Sequence, residues 1–189
     1  AMVADVALAY WQRIDARASG DSRGEREATR DALKVLNDLF GGVPAESFGP
    51  RSLRIVRERF LARGWSRQYA NAQTRRIVRA FRIGASLELC SAAVSANLAT
   101  LPGLRRGESG SRESKPIGPV AWGDVERLLP HVSGVVAAMV RVQWHTAMRP
   151  AEVCGLRLED IDRSGEVWTY RPAQHKTAHH GHWRTIWLG

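Results

Sequence analysis

Apolar side chains recur every three or four residues through the first hundred positions. Val3, Val6, Ala7, Tyr10, Trp11 and Ile14 form one stripe, the period of a helix with a single buried face. "DSRGE" interrupts it, with Ser22 and Glu25 spaced as a capping box. Ala32, Leu33, Leu36, Leu39 and Phe40 give a second stripe, closed by Gly41 and Gly42. "PRSLRIVRERFLARG" predicts a third helix with Leu53, Val56 and Phe60 inward and Gly64 as its stop. A fourth runs from about 66 to 87 through Ile77 and Phe81, and a short fifth covers 92 to 99. Residues 1–101 therefore read as an all-helical module.

"LPGLRRGESGSRESKPIGP" breaks the pattern, and residues 102–118 read as a linker or as a surface loop within one domain. From 119 to 189 the apolar rhythm resumes. "AWGDVERLLP" predicts a helix ended by Pro130, "SGVVAAMVRVQWHTAM" a largely buried one, and "RPAEVCGL" a short third with Pro150 in its first turn. The period then shortens. "DIDRSGEVWTYRPA" carries a turn at Ser164–Gly165 followed by β-rich residues, and "HWRTIWLG" alternates with Trp183, Thr185 and Trp187 on one side. The expected fold is mainly α with a small antiparallel β-sheet, and no internal repeat interrupts it.

Composition narrows the function. The 189 residues are 44% hydrophobic and 25% charged, which are globular values, and the formal net charge is +9. A folded chain this basic points to a polyanion, with nucleic acid the commonest, or else to a basic surface kept for solubility. The two cysteines, Cys90 and Cys154, form no disulfide framework and no zinc pair. No stretch approaches a membrane span, and "AMVADVALAYWQRID" lacks the features of a signal peptide, so a cytoplasmic setting is expected.

Arg75, Arg79 and Arg82 share one face of the fourth helix, opposite Ile77 and Phe81, with Arg67 and Arg76 flanking them. Arg51, Arg54 and Arg57 line up on the third helix. These rows are either solvated faces or phosphate contacts, and the scarcity of balancing acids favours phosphate. His175, His179, His180 and His182 match no standard zinc spacing and have no acidic or cysteine partner among them. No metal is expected there, and His179 is assigned instead to backbone or phosphate contact.

Arg149 sits between an apolar helix and the proline that opens the next, where an arginine opposes the helix dipole. It either forms a salt bridge to Asp160 or Asp162, or uses its planar fork of donors on a phosphate. Glu152, one turn on, is placed to accept a hydrogen bond from the guanidinium or its surroundings.

"TAMRPAEVCGLRLEDID", then a strand, "HKT" and a further strand ending "WRTIWLG", resembles the first half of the catalytic domain of the tyrosine recombinase (phage integrase) family. The helical module resembles that family's SAM-like core-binding domain, and "TYRPAQHKTAHHG" suits its bacterial integrase branch. The resemblance implies a core-binding domain over 1–101 and the start of an α+β catalytic domain over 119–189. It also implies roles for three residues. Arg149 would hold the scissile phosphate, Glu152 would support it, and Lys176 of the β-hairpin would act as general acid toward the leaving oxygen. The implied partner is double-stranded DNA, contacted through Arg54, Arg67, Arg75, Arg76, Arg79, Arg82 and His179. Oligomerisation on DNA, a bacterial, nucleoid-associated location and no cofactor are implied as well.

Ala147 departs from the glycine usual before the arginine. The family's histidine–x–x–arginine box and late tyrosine nucleophile have no counterpart among these residues, so the chain alone is not expected to exchange strands. A non-catalytic protein that occupies or blocks recombination sites is the alternative. A helix-turn-helix regulator and an RNA-binding module lack sequence support.

Overall fold

A computed structural model describes residues 1–16, 23–107, 111–173, 181 and 183–188. The described chain is mainly helical with one three-stranded antiparallel sheet, and it divides into two compact units, Ala1–Pro116 and Ile117–Gly189.

The first unit holds α1 (Val3–Ala16), α2 (Arg23–Phe40), α3 (Pro50–Ala62), α4 (Arg67–Ser86) and α5 (Ala92–Ala99). The stripes become its core: Val3, Val6, Tyr10, Leu36, Leu53, Val56, Phe60, Ile77, Phe81 and Leu98 are all buried. Helix α4 packs against each of the other four. Gly84 permits the close approach of α1, because a Cβ there would lie 3.0 Å from Val6 Cγ1. Phe48 stacks on Phe81 at 4.8 Å between ring centroids and meets Phe40 edge-on at 5.3 Å.

Helix α3 ends as its glycine predicts. Gly64 takes φ +76°, its N–H reaches the Leu61 carbonyl, and the Trp65 N–H reaches back to Phe60. Trp65 also stacks on Phe60, completing a Schellman ending with its apolar contact. Helix α4 begins with the Tyr69 N–H donating to Ser66 Oγ at 3.3 Å. It ends in the same geometry as α3 with Glu88 in the left-handed position, φ 58°. Ser22, half of the expected capping box, lies outside the described residues.

Part of the segment read as a linker is bound to this helical unit. Arg57 Nη1 donates to the Pro102 carbonyl at 2.6 Å, and Asn71 makes a two-way pair with the Leu104 backbone at 2.9 and 3.0 Å. Arg67 holds Glu113 through Nε and Nη2 at 2.6 and 3.1 Å, and its N–H donates to the Arg112 carbonyl. Proline, glycine and charge signalled a break in helical pattern, but composition does not show where such a strand lies down.

The second unit holds α6 (Trp122–Leu128), α7 (Gly134–Thr146), α8 (Pro150–Cys154), β1 (Ile161–Asp162), β2 (Trp168–Tyr170) and β3 (Ile186–Leu188). The sheet order is β1-β2-β3, with Ile161 opposite Tyr170 and Tyr170 opposite Ile186. Met148, Val153, Tyr170 and Ile186 form its small core, with Met139, Val142, Leu156 and Leu188 packed on it. Helix α7 corrects the expectation of a largely buried element. Of its residues only Ala137 is buried, while Val135, Val136 and Trp144 are exposed. Its apolar content exceeds the surface that this small sheet covers. The outer β3 face is bare as well, with Trp183 91% exposed and Trp187 exposed beside it.

Candidate functional site

Helix α7 stops at Ala147, which adopts the left-handed conformation at φ 52°. Two side chains fix the turn that follows. Thr146 Oγ1 donates to the Val142 carbonyl at 2.6 Å and accepts from the Met148 N–H at 3.3 Å, while Gln143 Nε2 donates to the Met148 carbonyl at 3.3 Å. Met148 plunges into the core, so Arg149 emerges at the N-cap of α8. Pro150 follows in the first turn, where its missing N–H costs nothing.

Glu152 organises this corner. Its Oε2 accepts from the Arg149 N–H and its Oε1 from Arg149 Nη1, both at 2.8 Å. This is the glutamate half of a capping box; an arginine side chain carries no acceptor to supply the other half. Glu152 is only 3% exposed, whereas the Arg149 side chain is 43% exposed. Burial works to raise the carboxyl's pKa, but the Arg149 backbone and guanidinium hydrogen bonds and the charges of Arg184 and Arg149 outweigh it. They hold Glu152 below its ordinary value, and so ionised at neutral pH. Arg149 thus pairs with Glu152 and not with Asp160 or Asp162; the Asp162 carboxylate instead accepts from the Ser164 N–H and hydroxyl.

Arg184, which the sequence reading did not single out, closes the other side. Its Nε lies 3.0 Å from Glu152 Oε1, out of line for a hydrogen bond, so this buried N–H has charge contact but no acceptor among the described residues. A signal for it existed in "HWRTIWLG". Trp183, Thr185 and Trp187 alternate outward, which places Arg184 on the inner face with buried Ile186. A cation on the inner face of a strand calls for a buried anion. Tyr170 underlies the corner, its hydroxyl donating to the Glu152 carbonyl oxygen at 3.4 Å. Lys176 and His179 lie outside the described residues.

In the first unit the basic face divides in two. Arg75, Arg79 and Arg82 are exposed, form no ion pair with a described residue, and line a groove of about 370 Å³. Arg57, 8% exposed, lines the same groove beside Asn71, Thr74 and Pro102, and burial pushes its guanidinium pKa below the ordinary value. Among the described residues, no acidic side chain lines it. Arg54 is exposed on α3. Arg67 and Arg76, by contrast, are engaged within the unit. Arg67 binds Glu113, and Arg76 bonds to Glu25, whose pKa is held below its ordinary value by that hydrogen bond. Helical spacing placed all five arginines of α4 on the surface, but it could not say which meet a carboxylate from elsewhere in the chain.

Among the described residues, no cluster of histidine, cysteine and acidic side chains is arranged to hold a metal ion. No helix among them is long and apolar enough to cross a membrane.

A scan against protein-family models finds no match, and neither does a search of the curated proteins. Solved structures do match. The chain is similar in fold to the Tn1549 transposon integrase in complex with circular intermediate DNA, at TM-score 0.57 and 15% identity over 97% of this chain and 60% of that one. A variant of that integrase with a circular intermediate DNA gives 0.63 at 18% identity, covering 97% and 61%. A variant with transposon right end DNA gives 0.63 at 16% identity, also covering 97% and 61%. The chain therefore has this fold, and it spans about 60% of the length of those integrase chains.

Proposed function

We propose that the chain is the DNA-engaging part of a tyrosine-type site-specific recombinase, carrying the core-binding module and the first catalytic arginine. The observation that supports this best is the corner in which a buried, ionised Glu152 presents a half-exposed Arg149 at the start of α8, within a fold shared with a DNA-bound integrase. Arg149 would bind a non-bridging oxygen of the scissile phosphate and stabilise the charge that grows in the five-coordinate transition state. Glu152 would hold the fork in place. Lys176 would protonate the leaving 5′-oxygen. Arg75, Arg79 and Arg82, with Arg54, would bind phosphates of duplex DNA without reading bases.

The tyrosine that would attack the phosphate is not among these residues. Tyr10 is buried in the helical core, Tyr69 packs edge-on against Trp65, and the Tyr170 hydroxyl is committed to the Glu152 carbonyl oxygen. These three placements favour a second reading for the chain taken alone, a protein that occupies DNA sites without cleaving them.

A gel shift with a labelled duplex tests the DNA assignment. The wild type should retard the duplex, the R75A/R79A/R82A variant should lose most of that binding on every sequence, and R149A should keep it, since one contact among several is removed. Equal retardation by the wild type and the triple variant would reject the assignment.

A further inference from the structure

We propose that Arg184 is a second phosphate-binding arginine, forming with Arg149 a two-guanidinium cradle braced by the single carboxylate of Glu152. This rests on the reading of Arg149 as a phosphate ligand and adds a residue to it. Both guanidinium groups converge on Glu152 Oε1, Arg149 Nη1 at 2.8 Å and Arg184 Nε at 3.0 Å, and neither pairs with any other carboxylate among the described residues. Two cations thus share one anion, leaving one positive charge uncompensated at a corner where Glu152 is buried.

Hydrogen bonding points the same way. Arg184 Nε is buried and has no acceptor among the described residues, although a carboxylate oxygen lies within reach. Yet the side chain as a whole is 31% exposed, so its accessible surface belongs to the atoms beyond that nitrogen or along the stem. An arginine kept only to neutralise Glu152 would donate along its N–H bond, as Arg149 does. One held beside the carboxylate but out of line spends no donor on it, and its guanidinium makes no hydrogen bond to a described residue. Five donors in a rigid plane match the oxygens of a phosphodiester, and two such planes around one carboxylate grip different oxygens of the same group.

Position agrees as well. Arg149 is fixed by the α7–α8 turn and Arg184 by the approach to β3, so the two reach Glu152 from separate elements. The pair is set by the fold and is not a chance meeting on one helix face. In this arrangement Arg184 contacts the non-bridging oxygens, and Glu152 sets the spacing of the two forks.

The test is a titration of the chain with inorganic phosphate, read from the arginine Nε–H signals in nitrogen-15 spectra. The Arg149 and Arg184 signals should both move, saturably and with one apparent Kd. Arg184→Ala should weaken the Kd read at Arg149 about tenfold, the size of one charge-assisted hydrogen bond. Arg184→Lys, which keeps charge without the fork, should fall between. The wild-type titration needs no substitution, so a variant that fails to fold does not remove the test. Movement of Arg149 alone, or a Kd unchanged in the Ala variant, overturns the role of Arg184 and leaves the Arg149 reading standing. Movement of neither signal overturns both.

Discussion

Removing the Glu152 carboxylate should cost far more stability than removing the arginine it serves. Glu152→Ala takes away the acceptor of the Arg149 N–H and the counter-charge beside the buried Arg184 Nε. Breaking a buried pair by deleting one partner costs about 3–5 kcal/mol, because the other charge stays desolvated. Arg184 retains partial exposure, which trims the figure to about 3 kcal/mol. Arg149→Ala deletes only a half-exposed guanidinium and leaves Glu152 with Arg184 and with the backbone N–H, so its cost should stay under about 1 kcal/mol. Urea unfolding followed by tryptophan fluorescence measures both. Trp122, Trp144, Trp168, Trp183 and Trp187 belong to the second unit and only Trp11 and Trp65 to the first, so fluorescence weights the unit that holds Glu152. Far-ultraviolet circular dichroism, dominated by the five helices of the first unit, should show a transition that neither substitution moves. Equal costs for the two variants, or a larger cost for Arg149→Ala, would refute the idea that Glu152 is the brace.

The same linkage sets a pH dependence. The Glu152 pKa is below its ordinary 4.5 in the folded chain, so its contribution is complete above pH 4.5 and is lost as pH falls through the lower folded value; an E152Q chain should lack that part of the acid transition. Ala147→Gly should stabilise the second unit by about 0.5–1 kcal/mol, because relief of left-handed strain exceeds the added chain entropy; a lowered unfolding midpoint would contradict this. Arg76→Ala should lower the midpoint of the first unit by breaking its pair with Glu25, whereas Arg75→Ala should leave it unchanged and weaken DNA binding; the reverse pattern would overturn the division of the basic face.

Where the sequence was legible, a local rule was at work. Apolar spacing located the five helices of the first unit, since each buries one stripe, and Gly64 marked its helix end because only a left-handed residue allows the Schellman bonds. Arg149 and Glu152 were legible together because one helical turn separates them. Arg184 was not, being brought to Glu152 by strand pairing from 32 positions further along the chain. The attachment of Pro102 and Leu104 to Arg57 and Asn71 escaped for the same reason, as did the split on α4 between arginines that pair with a described carboxylate and those that do not. Helix α7 misled in the opposite direction. Its composition is that of a core helix, and composition does not report how much surface the chain supplies to cover it.

DNA engagement by the basic face is decided by the affinity of the chain for a labelled duplex as salt is raised from about 50 to about 200 mM. Each phosphate contact contributes about −0.9 to the slope of log K against log salt. Arg75, Arg79 and Arg82 with Arg54 therefore predict a slope of about −3.6 or steeper, which should flatten in the R75A/R79A/R82A variant. Binding that does not change across that range, or a slope the triple variant leaves intact, would contradict the claim that this basic face engages DNA.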